Sequence, residues 1–261
     1  MSAARRLPLL AALALAACGS TEGDLITFTA SGAGPADAVA GQPLTFTNQQ
    51  GWTVTLDRAR LRVGALYLNK APPAVGQQTS NCVSPGLYTA QVTTGRIVDA
   101  LDPAPQPFPV PGEGTSEPAQ SGEVWLTGGP VDASDDRTTI ADFAGTAVRG
   151  AEAVTFEGQV TIGQNRAVPP DPVRPGASPL CKQRIVTPIP ASLRLAPGTG
   201  LLVRVDPRVW FTGVDFAQLP VDPLAPAVRR FPDRTDGQPS TNLYNGLRSR
   251  LGTYAFEPVA P

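Results

Sequence analysis

Apolar and polar positions along this chain alternate with the period of short β-strands. Trp52, Val54 and Leu56 alternate with Thr53, Thr55 and Asp57, the pattern of a strand with one face buried. The alternation continues through Leu61, Val63, Ala65 and Tyr67, with Arg58, Arg60 and Arg62 opposite, and then Leu66 and Leu68 fall on the arginine side. Gly64 stands at that reversal and predicts a bulge that turns the strand over. The three arginines form a positive stripe, read as a solvated strand face. In 153–162, Val154, Phe156, Val160 and Ile162 oppose Thr155, Glu157, Gln159 and Thr161. Further strands are predicted at 25–29, 44–47, 88–98, 122–126, 139–148, 184–187, 193–195, 201–206, 209–212 and 254–256.

One helix is predicted at 241–250, where Leu243 and Leu247 lie four apart, Leu251 continues the face and Gly252 is the stop. Three proline-rich stretches, 102–118, 168–179 and 220–239, read as long loops, because proline has no N–H to give to a central strand. The strands on either side of them look alike, and no internal repeat is evident, so 25–261 reads as a single domain. The expected fold is all-β. It is a sandwich or distorted barrel of short antiparallel strands, with long proline-rich loops and one short C-terminal helix.

The first eighteen residues depart from this pattern. Arg5 and Arg6 precede an apolar run from Leu7 to Ala17, the make-up of a signal-peptide core and too short to span a bilayer as a helix. Leu15-Ala16-Ala17-Cys18 resembles the lipobox of bacterial lipoproteins, and the body of the chain is loosely similar to uncharacterised lipoproteins of high-GC Gram-negative bacteria. The lipobox implies a signal peptide over 1–17, diacylation of Cys18 and cleavage before it. Residues 18–24 are then the lipidated cysteine and its tether. Gly19, in place of the usual inner-membrane retention aspartate, implies the outer membrane. The partner implied is the membrane itself, reached through the lipid.

Composition narrows the chemistry mainly by exclusion. The sequence contains no His, which removes Ser-His-Asp and Cys-His catalysis and His-ligated metals together. Net charge is −1, falling to −3 once Arg5 and Arg6 are cleaved away, and no basic cluster suggests nucleic acid. The 19 Arg against Lys70 and Lys182 suit carboxylate recognition, or reflect a high-GC coding bias. No cofactor is expected.

The remaining candidates each have a structural alternative. In an oxidising compartment Cys82 and Cys181 are expected to pair, closing a loop of about 100 residues, for which chain entropy gives roughly 4–5 kcal/mol. Asp132, Asp135 and Asp136 form the densest acidic cluster. They read either as a turn or as oxygen ligands for calcium, without the glycine and terminal glutamate of an EF-hand. The stretch 232–237 has the same ambiguity. Trp52, Trp125 and Trp210 are core residues or sugar-stacking platforms, and Trp210, next to Phe211, has the better case for a rim. Asp57, Glu157, Asp206 and Asp215 are the acids from which a hydrolytic pair would come. The function expected is a membrane-anchored lipoprotein with a non-enzymatic, envelope-structural or binding role. A carbohydrate- or calcium-binding module and a carboxylate-dependent hydrolase are the alternatives.

Overall fold

A computed structural model describes residues 23–72, 86–129, 136–162, 181–221, 226–234 and 237–260. In chain order the strands are β1 (Leu25–Ala33), β2 (Leu44–Thr47), β3 (Thr53–Val63), β4 (Ala65–Asn69), β5 (Tyr88–Val92), β6 (Arg96–Asp99), β7 (Gln106–Pro107) and β8 (Gly112–Thr115). They continue as β9 (Pro118–Trp125), β10 (Thr139–Arg149), β11 (Glu152–Thr161), β12 (Ile185–Arg194), β13 (Gly200–Val205), β14 (Arg229–Phe231) and β15 (Tyr254–Val259). Helix α1 (Cys181–Arg184) is a single turn before β12, and α2 (Gln238–Leu247) is the C-terminal helix.

The fold is all-β, as the alternation predicted. One sheet runs β12-β9-β4-β5-β8-β1-β13-β15, with β7 added against β1; the other runs β14-β11-β10-β3-β2, with β6 against β3. Pairing is antiparallel except for β1 with β13 and β11 with β14. The ends of the larger sheet, β12 and β15, pack against each other, so the sheet curls nearly closed. Phe256 of β15 lies over Gly122 of β9, where a Cβ would come within 2.1 Å of the ring.

One continuous core lies between the sheets. Val54, Leu56, Leu61 and Val63 of β3 enter it from the smaller sheet, and Leu66, Leu68, Val124 and Val203 from the larger. Its densest part is a ring cluster in which Phe143, Phe156, Phe211, Phe216 and Phe231 meet at centroid distances of 4.7–6.1 Å. Each such buried ring contributes roughly 1.5–3 kcal/mol.

Gly64 is a corner between the two sheets. β3 belongs to the smaller sheet and β4 to the larger, so the reversal of the apolar face at this residue is the chain crossing over. A Cβ on Gly64 would sit 2.6 Å from the Thr127 carbonyl oxygen, and its N–H donates to the Trp125 carbonyl. The expected strand at 88–98 breaks in the same way, β5 joining the larger sheet and β6 the smaller.

Four expectations are corrected. The strand expected at 209–212 is a 3-10 helix, Pro207–Phe211, because the Asp206 carboxylate accepts from the Arg208 N–H and Pro207 opens the turn. The two short strands expected at 184–187 and 193–195 are one strand, β12, which carries Pro188 and Pro190 because it is an edge strand with register shifts. Helix α2 starts earlier than expected, with Pro239 in its first turn, and ends at Leu247, leaving Leu251 exposed. The stretch 102–118 is also more regular than a loop, since it contains β7 and β8.

Candidate functional site

The strands of the larger sheet alternate as the core requires, and their outward residues fall into register across it. Thr27 on β1 stands opposite Glu113 on β8, Glu113 opposite Gln91 on β5, Gln91 opposite Tyr67 on β4, and Tyr67 opposite Glu123 on β9. The neighbouring row includes Asn69 opposite Ser121. An outward strand face is ordinarily solvated, yet Asn69 and Glu123 are 0% exposed and Ser121 is 1% exposed.

The Glu123 carboxyl is fixed from one side. Trp125 Nε1 donates to Glu123 Oε1 at 2.6 Å. The Trp125 and Tyr67 rings lie 4.9 Å apart, and the Tyr67 and Tyr88 rings 4.9 Å apart, so three aromatics pack in sequence beside the carboxyl, each tilted against the next. Thr187 reaches the same carboxyl from β12. The register shift between Val186 and Ile189 places an extra residue opposite Glu123. Burial raises the Glu123 pKa above the ordinary carboxylate range, partly offset by the Trp125 hydrogen bond and by the Thr187 hydroxyl beside it. Burial, then the nearby Glu123, raises Tyr67 and takes Tyr88 up to about 12.

Part of the hydrogen bonding of this patch is unmet. Asn69 Oδ1 and Nδ2, Ser121 Oγ, Glu123 Oε2 and Thr187 Oγ1 are buried atoms that complete no hydrogen bond. The protein treats its other buried asparagine differently. Asn48 Nδ2 donates to the carbonyls of Phe211 and Val214, and Asn48 Oδ1 accepts from the N–H groups of Gln50 and Trp52. A buried polar atom without a partner costs about 1–3 kcal/mol, and this patch gathers five of them. Beside them the face opens into a pocket of about 500 Å³, lined by Leu25, Thr27, Tyr88, Gln91, Glu113 and Thr115 among others. Leu25 is 89% exposed and Tyr88 38%, an apolar rim over a polar floor.

The residues singled out from the sequence lie elsewhere. Cys18, Cys82, Asp132 and Asp135 fall outside the described residues, as does the Cys181 side chain, whose backbone begins α1. Asp136 holds a turn. Its Oδ2 accepts from Thr127 Oγ1 and the Gly128 N–H, and its Oδ1 from the Thr138 N–H. Burial opposes its ionisation, but the bonds from Thr138, Thr127 and Gly128 outweigh that and take the carboxyl to about 2. Among the described residues no three Cys, Asp or Glu side chains converge as metal ligands.

Trp210 is at 0% exposure in the core and not at a rim, because the 3-10 turn rotates it inward against α2 and Phe211. Trp52 is also buried, and its Nε1 donates to Asp215 Oδ1 at 3.0 Å, with the Arg149 guanidinium 4.4 Å over its ring. The acids considered for hydrolysis are engaged or dispersed. Asp206 and Asp215 cap 3-10 turns, Glu157 pairs with Arg230, and Asp57 is exposed on β3. In the arginine stripe, Arg58 pairs with Asp142 at 3.1 Å on the outer face of the smaller sheet. Of the 232–237 stretch, Asp233 accepts from the Thr161 N–H and hydroxyl, which ties the loop to β11.

The Glu123 cluster was missed because a lone glutamate in an alternating strand reads as a solvated position. A signal was nonetheless present. The segment Val124-Trp125-Leu126, like Leu66-Tyr67-Leu68, is apolar on both faces, and strands apolar on both faces are covered on both.

No protein-family profile matches the chain, and no curated protein matches it. Among solved structures, MbnP from Methylosinus trichosporium is similar over 92% of this chain and 100% of that one, at 11% sequence identity and a TM-score of 0.40. A likeness that distant carries no argument about function.

Proposed function

We propose that this chain is the precursor of a bacterial lipoprotein, anchored in the outer membrane through Cys18, whose β-sandwich has a non-enzymatic binding role exercised by the outer face of its larger sheet. The lipobox at 15–18 supports the anchor. The first strand begins at Leu25, seven residues beyond Cys18, so the tether holds the sandwich within roughly 25 Å of the lipid.

The observation that carries the binding role is the set of enclosed, partnerless polar atoms around Glu123, next to an open pocket with an apolar rim. Catalysis by paired acids finds little support on this face. Glu123 and Glu113 stand three strand spacings apart, about 14 Å, against the 5–9.5 Å used in glycoside hydrolysis. The exposed Tyr88 at the pocket rim favours a saccharide as the class of ligand for the open part of the face.

The test is a pair of experiments on the exported protein. Glycan binding by the mature lipoprotein in detergent is expected to weaken at least tenfold in Tyr88→Ala and to be unchanged in Asp57→Ala. Equal binding by both variants, or none by the wild type, would remove the saccharide reading.

A further inference from the structure

We infer that the enclosed end of this face is a site for a hard, oxygen-liganded cation, held by Glu123, Asn69, Ser121 and Thr187. The inference rests on the reading of this face as a binding surface, and it specifies what the buried part of the surface takes. Four of the five partnerless atoms are oxygens: Glu123 Oε2, Asn69 Oδ1, Ser121 Oγ and Thr187 Oγ1. One carboxylate with neutral hydroxyl and amide oxygens is the donor set of hard cations, which discriminate against nitrogen and sulfur.

Three features of the local structure place these donors together. Asn69 and Ser121 are direct cross-strand neighbours, and Glu123 follows Ser121 by two residues on the same face of β9. Thr187 comes in from β12 on the other side of β9, set opposite Glu123 by the bulge. The site thus spans three adjacent strands with β9 at its centre, and it is built on sheet rather than on loops.

Charge argues for an ion over water alone. The acids that make ion pairs here, such as Asp142 with Arg58, Glu117 with Lys70, Glu257 with Arg204 and Asp37 with Arg208, are all at least partly exposed. Glu123 is fully buried, and among the described residues no Arg or Lys forms an ion pair with it. Without a counter-charge burial favours the neutral acid, and a bound cation is what would keep Glu123 ionised. A single carboxylate balances a single positive charge, so a monovalent ion leaves the enclosure neutral.

Melting of the mature lipoprotein in detergent tests this. Sodium, potassium and calcium chlorides are compared with choline chloride at matched ionic strength, after dialysis against chelator. A metal salt is expected to raise the melting temperature of the wild type over choline, since an ion bound only to the folded state stabilises it by mass action. The shift should vanish in Glu123→Gln, which keeps the shape and removes the charge. It should need about tenfold more salt in Ser121→Ala, a change small enough to fold if the glutamine variant does not. Asp136→Asn, outside the cluster, should keep the full shift. The ion that produces the shift also settles its charge. Identical melting in all four salts, or a shift that survives in Glu123→Gln, would overturn the inference. Glycan binding lost in Tyr88→Ala alongside identical melting would leave the binding face standing and remove only the cation.

Discussion

Individual side chains here range from those whose hydrogen bonds are complete to those around Glu123. Asp215 shows the first kind. It accepts from Trp52 Nε1, from the Ala217 N–H and from Gln218, and it lies 3.3 Å from Arg149, joining the start of β3 and the end of β10 to the 3-10 turn Phe216–Gln218. Changing Asp215 to Ala leaves the buried Trp52 N–H without an acceptor, and a loss of about 2 kcal/mol in chemical denaturation is expected. Asp136 gives a pH prediction. Its folded-state pKa of about 2 lies below the ordinary aspartate value of 3.8, so its contribution is complete above pH 3.8 and is lost as pH falls toward 2. Asp136→Asn should therefore cost stability at neutral pH, about 1 kcal/mol, and nothing near pH 2. Denaturation curves at the two pH values check the sign. An equal cost at both would mean that the charge of Asp136 does not matter.

At the scale of elements, Gly64 is the most exacting position. It lets one continuous run of sequence serve both sheets. Gly64→Val would drive a side chain into Thr127 and is expected to cost about 1–3 kcal/mol or more, measured by urea denaturation. A neutral substitution would mean that the corner has slack the close approach denies. This element also shows how far the strands could be read in advance. Alternation in β3 and β11 was legible because each has one face in the core, although an extra residue at Asp57 changes the inward set of β3 from Val54 and Leu56 to Ala59, Leu61 and Val63. The reversal after Gly64 marked a true feature. Its meaning, a change of sheet and not a bulge within one, depends on partners distant in sequence. The segment 209–212 misled for a local reason: Val209, Trp210 and Phe211 have strong β-propensity, but Asp206 and Pro207 cap and start a tight turn. The prolines of β12 hid a strand that is tolerated only at an edge. Glu123 was illegible for a third reason, since the burial of an outward face is decided by what packs over it and not by the strand's own period.

For the whole molecule, a nearly closed sheet capped by a smaller one leaves a single core and few free edges. Far-ultraviolet circular dichroism of the mature protein should be dominated by β-structure. Cys18→Ala should move the protein from the membrane fraction to the soluble one, and continued membrane association would contradict the lipid anchor. Non-reducing mass analysis of exported protein should show Cys82 joined to Cys181, and two free thiols would contradict that pairing. The lipid would set the sandwich close to the membrane, with the Glu123 face carrying its binding function. That last point is the centre of the account, and native mass spectrometry of the gently released mature lipoprotein tests it most directly. The account predicts a wild-type peak heavier than the lipidated polypeptide by a bound ion or small ligand, lost on denaturation and absent from Glu123→Gln. Wild type and variant both at the bare lipidated mass would contradict it.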